Sequence, residues 1–469
     1  MPEPKIYIKY LIANKDLFAN PRKEVLFNEF CSDASINEAA KIILEKQKLI
    51  MDKWTIKNRI NDIVHQQVII PNATVNKYYE TKLDFDKLKW NDLVFFEIEG
   101  LKALGLEFDN VTDTIKGVPA KSGDLKIKLK FRVEGETEDS VLNEKLISMV
   151  INPDPRSLWK DIPGDKTDPY WKEDNVAEFG KLGEKNIVVA SKRGRSHANV
   201  GSFRDDDYAF KYFDSNGWSV VAVSDGAGSA KLSREGSRIS CDGIIGYFSE
   251  HLTDEILHEF DSLLKEHKEG SGTDTQKRLN HFVYNNLGKA ALYVHKKLEQ
   301  FAESIGTPIK DLHSTLIFTL FKKYEFGYAL LSFGVGDCPI GLLNKDITEI
   351  TLMNWLDVGE FGGGTRFITM PEIFNSDKFS TRFGFKLIND FSYLMLMTDG
   401  IYDPKFNVEA NLEKIEAWKA FLADLEGNNP ESSKVVFDKN NKEIAKQLSD
   451  WMDFWSPGNH DDRTLAIIF

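Results

Sequence analysis

Residues 218–240 read WSVVAVSDGAGSAKLSREGSRIS. The run Trp218–Ser224 is short, apolar and rich in valine, which predicts a buried strand. Asp225 and Gly226 follow it directly, and a helix is predicted from about 233 to 262. A carboxylate just past a buried strand sits on a rigid element at a domain edge. Glycine after it permits a tight turn and lets a backbone carbonyl approach a cation. A lone Asp-Gly is a turn in most proteins, so its meaning depends on what else the chain holds.

The arrangement recurs. Arg204-Asp205-Asp206-Asp207 precedes Tyr208-Ala209-Phe210, and Gly336-Asp337 follows the strand GYALLSF (327–333). Asp399-Gly400-Ile401-Tyr402-Asp403 follows YLMLMT (393–398), and Asp461-Asp462-Arg463 leads into TLAIIF (464–469). Further strands are predicted at IVVA (187–190) and STLIFTL (314–320), and helices at 276–301 and 409–424, with EGSGTDT (269–275) as a loop between helices. Carboxylates brought together from several strand ends repel one another, so such a fold needs cations. Ligands that are all oxygen select Mg²⁺ or Mn²⁺ over zinc. Two such ions about 3.5–4 Å apart can hold a bridging hydroxide for in-line attack on phosphorus. Neither GxxxxGK[ST] nor HExxH occurs, so a P-loop NTPase or a zincin is unsupported.

The rest of the chain bounds the reading. Its 469 residues predict two to four domains, and 42% hydrophobic residues suffice for sizeable cores. A net charge of −13 argues against nucleic-acid binding, which needs a basic face. Cys31, Cys241 and Cys338 are too few and too scattered for a disulfide framework. The first residues, MPEPKIYIKYLIANKDLF, do not read as a signal peptide, and no apolar run approaches 18 residues; a cytoplasmic protein without a membrane partner is expected. Ser35-Ile36-Asn37-Glu38 has capping-box spacing and predicts a helix running to about His65. From Val68 to about Asn152 the texture changes to short strands, among them VIIPNATVNKYY, DLVFFEIEG and LKIKLKFRV. The phrase GLEFDNVTDTIKGVPAKSGDLKIKLKFRV, with Gly117, Pro119 and Gly123 as turn residues, resembles bacterial immunoglobulin-like repeats. The expected organisation is a helical segment at 1–66, an immunoglobulin-like β-sandwich at 67–152, a proline-rich linker at 153–180 and a catalytic domain at 181–469.

Residues 187–469 resemble the metal-dependent serine/threonine protein phosphatases of type 2C. SHANVGSFRDDDYAF stands where that family has its early acidic pair, and WSVVAVSDGAGSAKLSREGSRIS at its Asp-Gly strand and turn. LHSTLIFTLF, SFGVGDCPIGLL, LMLMTDGIYD and HDDRTLAIIF follow in the family's order. The Ser196-His197 pair is similar to a bacterial branch. The resemblance implies that Asp225 bridges two core ions, with the carbonyl of Gly226 on one, and that Asp399 and Asp461 hold the other. Asp206 matches the aspartate of the early pair and Asp205 its neighbour. Asp207 is the alternative by one residue of register; Asp206 keeps Tyr208 and Phe210 at the expected offset. Asp337 and Asp403 match the positions of a third, looser ion.

The chain also departs from the family. Cys338 replaces the usual serine, and the phosphate-binding arginine is not at its usual offset. Arg204, Arg195 and His197 are the candidates for that contact, with His197 alternatively the general acid toward the leaving oxygen. The implied fold is α+β, a helix–sheet–sheet–helix sandwich of two antiparallel sheets with the ions at one sheet edge. The expected activity is hydrolysis of phosphoserine and phosphothreonine without a covalent intermediate, since no cysteine lies in a phosphate-cradling loop. The expected cofactors are two Mg²⁺ or Mn²⁺ ions with a third looser one. The expected partner is a phosphorylated protein, with a kinase or its target encoded nearby. The rival readings are a phosphatase-like binding module and a phosphatase of small phospho-metabolites. GEFGGGTRFITMPEIF (359–374) is read as a flexible flap over the site.

Overall fold

The computed structural model describes residues 3–13, 22–270, 272–357 and 364–469. The chain divides into two compact units, Met1–Leu158 and Trp159–Phe469.

The first unit opens with helices α1 (Pro4–Ala13), α2 (Arg22–Ser32) and α3 (Ala34–His65). The long helix ends where the sequence predicts, but its cap differs: Asp33 accepts from the Ser35 N–H at 2.8 Å, so Ser35 lies inside the helix. Asp33 wins because its carboxylate is the stronger acceptor two residues earlier. Strands β1 (Ala73–Thr74) and β2 (Tyr79–Lys82) precede the short helix α4 (Phe85–Leu88). Then come β3 (Leu93–Glu99), β4 (Leu106–Asp109), β5 (Thr114–Gly117), β6 (Gly123–Val133) and β7 (Asn143–Asn152). They form a four-stranded sheet, β1-β7-β6-β3, and a three-stranded sheet, β2-β5-β4. Ile127, Leu129 and Phe131 of β6 alternate with the exposed Lys126 and the half-buried Lys128 and Lys130, and share a core with Ile115, Leu106 and Tyr79 of the other sheet and with Ile63 of α3. The Lys145 Nζ donates to the carbonyl oxygen of Val64 at 3.1 Å, closing the helix end onto β7.

The second unit holds β8 (Asn175–Leu182), β9 (Lys185–Lys192), α5 (Arg195–Val200), β10 (Asp207–Phe213), β11 (Trp218–Ser224), α6 (Ser233–His251), α7 (Asp254–Lys268) and α8 (Gly272–Ile305). Next are β12 (Leu316–Tyr324), β13 (Gly327–Val335), β14 (Ile340–Asn344), β15 (Ile350–Leu352), β16 (Phe383–Ile388) and β17 (Phe391–Met397). It closes with α9 (Asp399–Phe406), α10 (Ile415–Leu425), α11 (Ile444–Trp451) and β18 (Arg463–Ile468). The strands form two antiparallel sheets, β10-β11-β12-β13-β16 and β15-β14-β17-β18-β9-β8. Both faces of β11 are buried, which is why it reads as an unbroken apolar run. Val220 and Ala222 pack among residues of α6, α7 and α8, while Val221 and Val223 pack against Ile187, Val189, Leu396 and Ala466 of the other sheet. Val188, Met395, Met397 and Ile467 present the second sheet's opposite face to α9, α10 and α11.

Four sequence expectations change here. The helix predicted at 233–262 is two helices, because Leu252 leaves the helical region and Thr253 caps α7 through the Ile256 N–H. The loop expected at 269–275 is shorter, since α8 begins at Gly272. The expected linker is mostly built into the second unit: 159–174 lies on it, and β8 forms the edge strand of a sheet. Of the flap read at 359–374, residues 359–363 lie outside the described residues, and the remainder is fastened. The Ile368 N–H donates to the Ser314 carbonyl at 3.0 Å, and Phe367 stacks on His313. Among the described residues, no helix is long and apolar enough to cross a membrane.

Candidate metal centre

Five strand ends open onto one edge of the second unit's sheets. Asp205 and Asp206 precede β10, Asp225 follows β11, Asp337 follows β13, Asp399 starts α9 after β17, and Asp461 precedes β18. Glycines allow the approach. A Cβ on Gly226 would lie 2.6 Å from the Asp205 carbonyl oxygen, and one on Gly400 would lie 1.9 Å from that of Asp462. The Asp225 carbonyl accepts from the Thr315 N–H at 2.8 Å, and its N–H donates to Thr315 Oγ1 at 2.9 Å, so β12 fixes this turn. Asp337 is held by the Thr365 hydroxyl at 2.8 Å. The preceding Gly336 N–H donates to Asp357, which forms a buried pair with Arg382.

Asp206 is the most constrained member. Its Oδ2 accepts from Thr398 Oγ1 at 2.9 Å and from Thr464 Oγ1 at 2.8 Å. Its Oδ1 is buried with no hydrogen-bond partner among the described residues. Burial and the charge of Asp462 raise its pKa. Burial, then Asp399, Asp206, Asp461 and Asp337, push Asp225 well above the carboxylate range. Burial, then Asp461, Asp337, Asp206 and Asp403, do the same to Asp399. Asp225 and Asp399 both feel Asp206, Asp337 and Asp461, so the cluster cannot be fully ionised without positive charge. An orphaned buried oxygen amid a donor set dominated by carboxylates fits Mg²⁺ or Mn²⁺. Asp461 and Asp403 lie exposed at the rim. Carboxylate oxygens of Asp225 and Asp337 and the Cys338 sulfur all lie within 4.8 Å of one another.

The adjacent aspartates of the acidic run point in different directions. Asp207 turns away from the cluster, pairing with Lys172 at 2.9 Å, and its carboxyl is held below the usual range. Arg204, expected to contact phosphate, is 3% exposed and faces inward. Its Nη1 donates to Ser191 Oγ at 2.6 Å and to the Asp206 carbonyl at 2.5 Å, and its Nε to the Glu173 carbonyl. Its donors are committed to the protein interior, so this expectation is corrected. Arg195 donates to the carbonyls of Asp453 and Phe454 and lies over the Trp455 ring.

His197 lies beside the cluster. Its Nδ1 is 3.0 Å from both oxygens of Asp462, and its Nε2 is 3.6 Å from Asp205. Burial alone would lower its pKa, but Asp462, Asp205 and Asp461 outweigh burial and push it up to about 9. Asp205 is raised to about 6 by burial and by Asp462. Asp462, unassigned from the sequence, also accepts from the backbone N–H of Gly194 at 2.6 Å and of Asp205 at 2.5 Å. Thr398 and Thr464 were missed as well. A hydroxyl at the end of an otherwise apolar run was the available signal, because buried polar groups need partners. No signal marked Lys172.

The second unit thus gathers carboxylates, from the buried Asp206 to the exposed Asp461, at one edge of its antiparallel sheets, a donor set that suits divalent cations. The family model described as Protein phosphatase 2C matches residues 193–453, more than half of the 469-residue chain. The chain belongs to that family. Among solved structures it is similar to a bacterial serine phosphatase at 13% identity, over 60% of this chain and 96% of that one, with a TM-score of 0.36. It is also similar to the serine/threonine phosphatase Stp1 from Staphylococcus aureus at 14% identity, over 63% and 98% of the two chains, with a TM-score of 0.34. The catalytic domain of the protein phosphatase PstP, solved with two manganese ions, matches at 14% identity over 60% and 96%, with a TM-score of 0.33. No curated protein matches the chain in sequence.

Proposed function

We propose that the protein hydrolyses phosphoserine and phosphothreonine in proteins, using Mg²⁺ or Mn²⁺ held by Asp206, Asp225, Asp399, Asp461 and the Gly226 carbonyl. The observation that carries this reading is the buried, unpartnered Oδ1 of Asp206 amid carboxylates that repel one another. When bound, the cations supply Lewis acidity toward the phosphoryl group and activate water at neutral pH. The protein's own residues orient and shield. Thr398 and Thr464 aim Asp206, Thr315 fixes Asp225, and the Asp357–Arg382 pair fixes the turn before Asp337. We assign Asp337 and Asp403 to a looser third ion. His197 has Nδ1 engaged by Asp462 and its Nε2 on the cluster side, which suits a proton donor to the leaving oxygen. The helix–sheet–sheet–helix reading of the second unit and the immunoglobulin-like reading of the two sheets in the first belong to the same proposal, with the first unit as a docking platform. A cytoplasmic setting and a kinase encoded nearby complete it.

The test is turnover of phosphoserine and phosphothreonine peptides beside nucleotides and sugar phosphates, each with Mn²⁺ and with chelator. Metal-dependent preference for the peptides is expected. Preference for a small metabolite would replace the substrate class, and absence of turnover on all of them would leave a binding module.

A further inference from the structure

Lys172 lies in the stretch whose composition reads as linker and outside the residues that the family model matches. Its side chain is nonetheless only 10% exposed. The Nζ donates to the Asp206 carbonyl at 2.8 Å, to Asp207 Oδ2 at 2.9 Å and to the Arg234 carbonyl at 3.4 Å. The Asp206 carbonyl therefore accepts from two cationic side chains, Lys172 and Arg204, which occupy its two lone pairs. Asp207, next in the chain, lies beside both cations and offsets their mutual repulsion.

The backbone around Lys172 is fastened at several points. The Glu173 carbonyl accepts from Arg204, the Tyr170 carbonyl from Arg234, and the Asp174 carbonyl from the Arg193 N–H. Asp168 pairs with Arg234 at 3.0 Å, and the Trp159 and His460 rings lie 4.3 Å apart. Few rotamers of a long lysine would survive such burial, and holding one ordered has an entropic cost that a spacer would not bear.

We propose that Lys172 is a positioning residue for the metal centre. It clamps the peptide plane of Asp206 so that Oδ1 of that residue is presented to a cation while Oδ2 stays on Thr398 and Thr464. The inference rests on the metal-dependent reading given above. A carbonyl released from one of its two clamps lets the 204–207 loop rotate, and small misplacements of a ligand set are costly to catalysis.

The experiment compares the full chain with Lys172→Met and with the double variant Lys172→Met/Asp207→Asn, which leaves no unpaired carboxylate at the site. Mn²⁺ alone is titrated calorimetrically, and Mn²⁺-dependent turnover of an aryl phosphate is measured well below each melting temperature. The expected result in both variants is Mn²⁺ affinity weakened about 10-fold, kcat lowered about 10- to 100-fold at saturating metal, and KM within about 2-fold. If Lys172→Met does not fold, the double variant decides. Wild-type Mn²⁺ affinity and kcat, with only the melting temperature lowered, would make Lys172 scaffolding and overturn the inference. Absence of turnover by the unaltered chain on every phosphomonoester would sink the proposed function instead, and the Mn²⁺ titration would still decide the role of Lys172.

Discussion

The imidazole of His197 and the carboxylate of Asp462 are joined through Nδ1 at 3.0 Å, and the same carboxylate accepts from the backbone of Gly194 and Asp205. One buried group thus ties the α5 turn, the acidic loop and the start of β18 together. Asp462→Ala leaves two buried N–H groups and a charged imidazole without an acceptor, and the expected loss of unfolding free energy is about 3–5 kcal/mol. Asp462→Asn keeps one carbonyl acceptor and is expected to lose about 1–3 kcal/mol. Urea unfolding of both variants checks the order; equal stability to the unaltered chain would refute the tie.

Asp225→Asn and Asp399→Asn are each expected to abolish Mn²⁺-dependent hydrolysis of an aryl phosphate. Both positions carry carboxylates raised by burial and by neighbouring carboxylates, so a neutral amide relieves repulsion in the metal-free protein. Metal-free melting temperatures should therefore match or exceed that of the unaltered chain, by about 2–4 °C for each kcal/mol relieved. Calorimetry with and without Mn²⁺ reads this. A variant that keeps turnover within a few-fold removes its residue from the core.

Asp337→Asn and Asp403→Asn are expected to keep two tightly bound ions, lower kcat by about 30- to 1000-fold and raise the metal concentration needed for activity. Metal titration paired with rates distinguishes the cases. Loss of a tight ion would move the residue into the core pair, and full activity at low metal would reduce it to a turn residue.

A chain beginning at Trp159 should hydrolyse an aryl phosphate as the full chain does, because the second unit is compact by itself. A chain beginning at Lys181 removes most of β8 and all of the fastened stretch bearing Lys172. It is expected to be insoluble or to bind Mn²⁺ weakly. Wild-type behaviour of the Lys181 chain would return 159–180 to the status of a spacer.

Asp390 tests acid stability away from the metal centre. Burial would raise its pKa, but hydrogen bonds from Lys345 and Lys185 lower it to about 2. A carboxyl depressed in the folded state contributes stability above its unfolded value, and the contribution disappears as pH falls through the folded one. The shift corresponds to at most about 2.5 kcal/mol, less with solvent screening of the partly exposed pair. Asp390→Asn should therefore be less stable at pH 6, with the difference shrinking between about pH 4 and pH 2. A difference independent of pH would assign the effect to packing.

The second unit was largely legible because its central strands are buried on both faces. Trp218–Ser224 and Phe391–Met397 show as apolar runs ended by an aspartate, and their order along the chain carried the family resemblance. Strands that alternate or sit at edges were harder. Asn175–Leu182 reads as polar linker, because an edge strand leaves one face wet and its pattern is set by its neighbours.

The sequence by itself determined which carboxylates stand at strand ends, that their donors are oxygen, and that glycines accompany Asp225 and Asp399. These are properties of residue type and local order, which spacing along a chain preserves. The tertiary structure alone decided that Asp206 faces the cluster while Asp207 turns to Lys172, and that Arg204 is spent on backbone carbonyls. It also decided that Asp462 holds His197. Adjacent charged residues look alike in sequence; only the groups packed around each one, brought from distant segments, select which carboxylate a protein cation neutralises and which faces the acidic cluster.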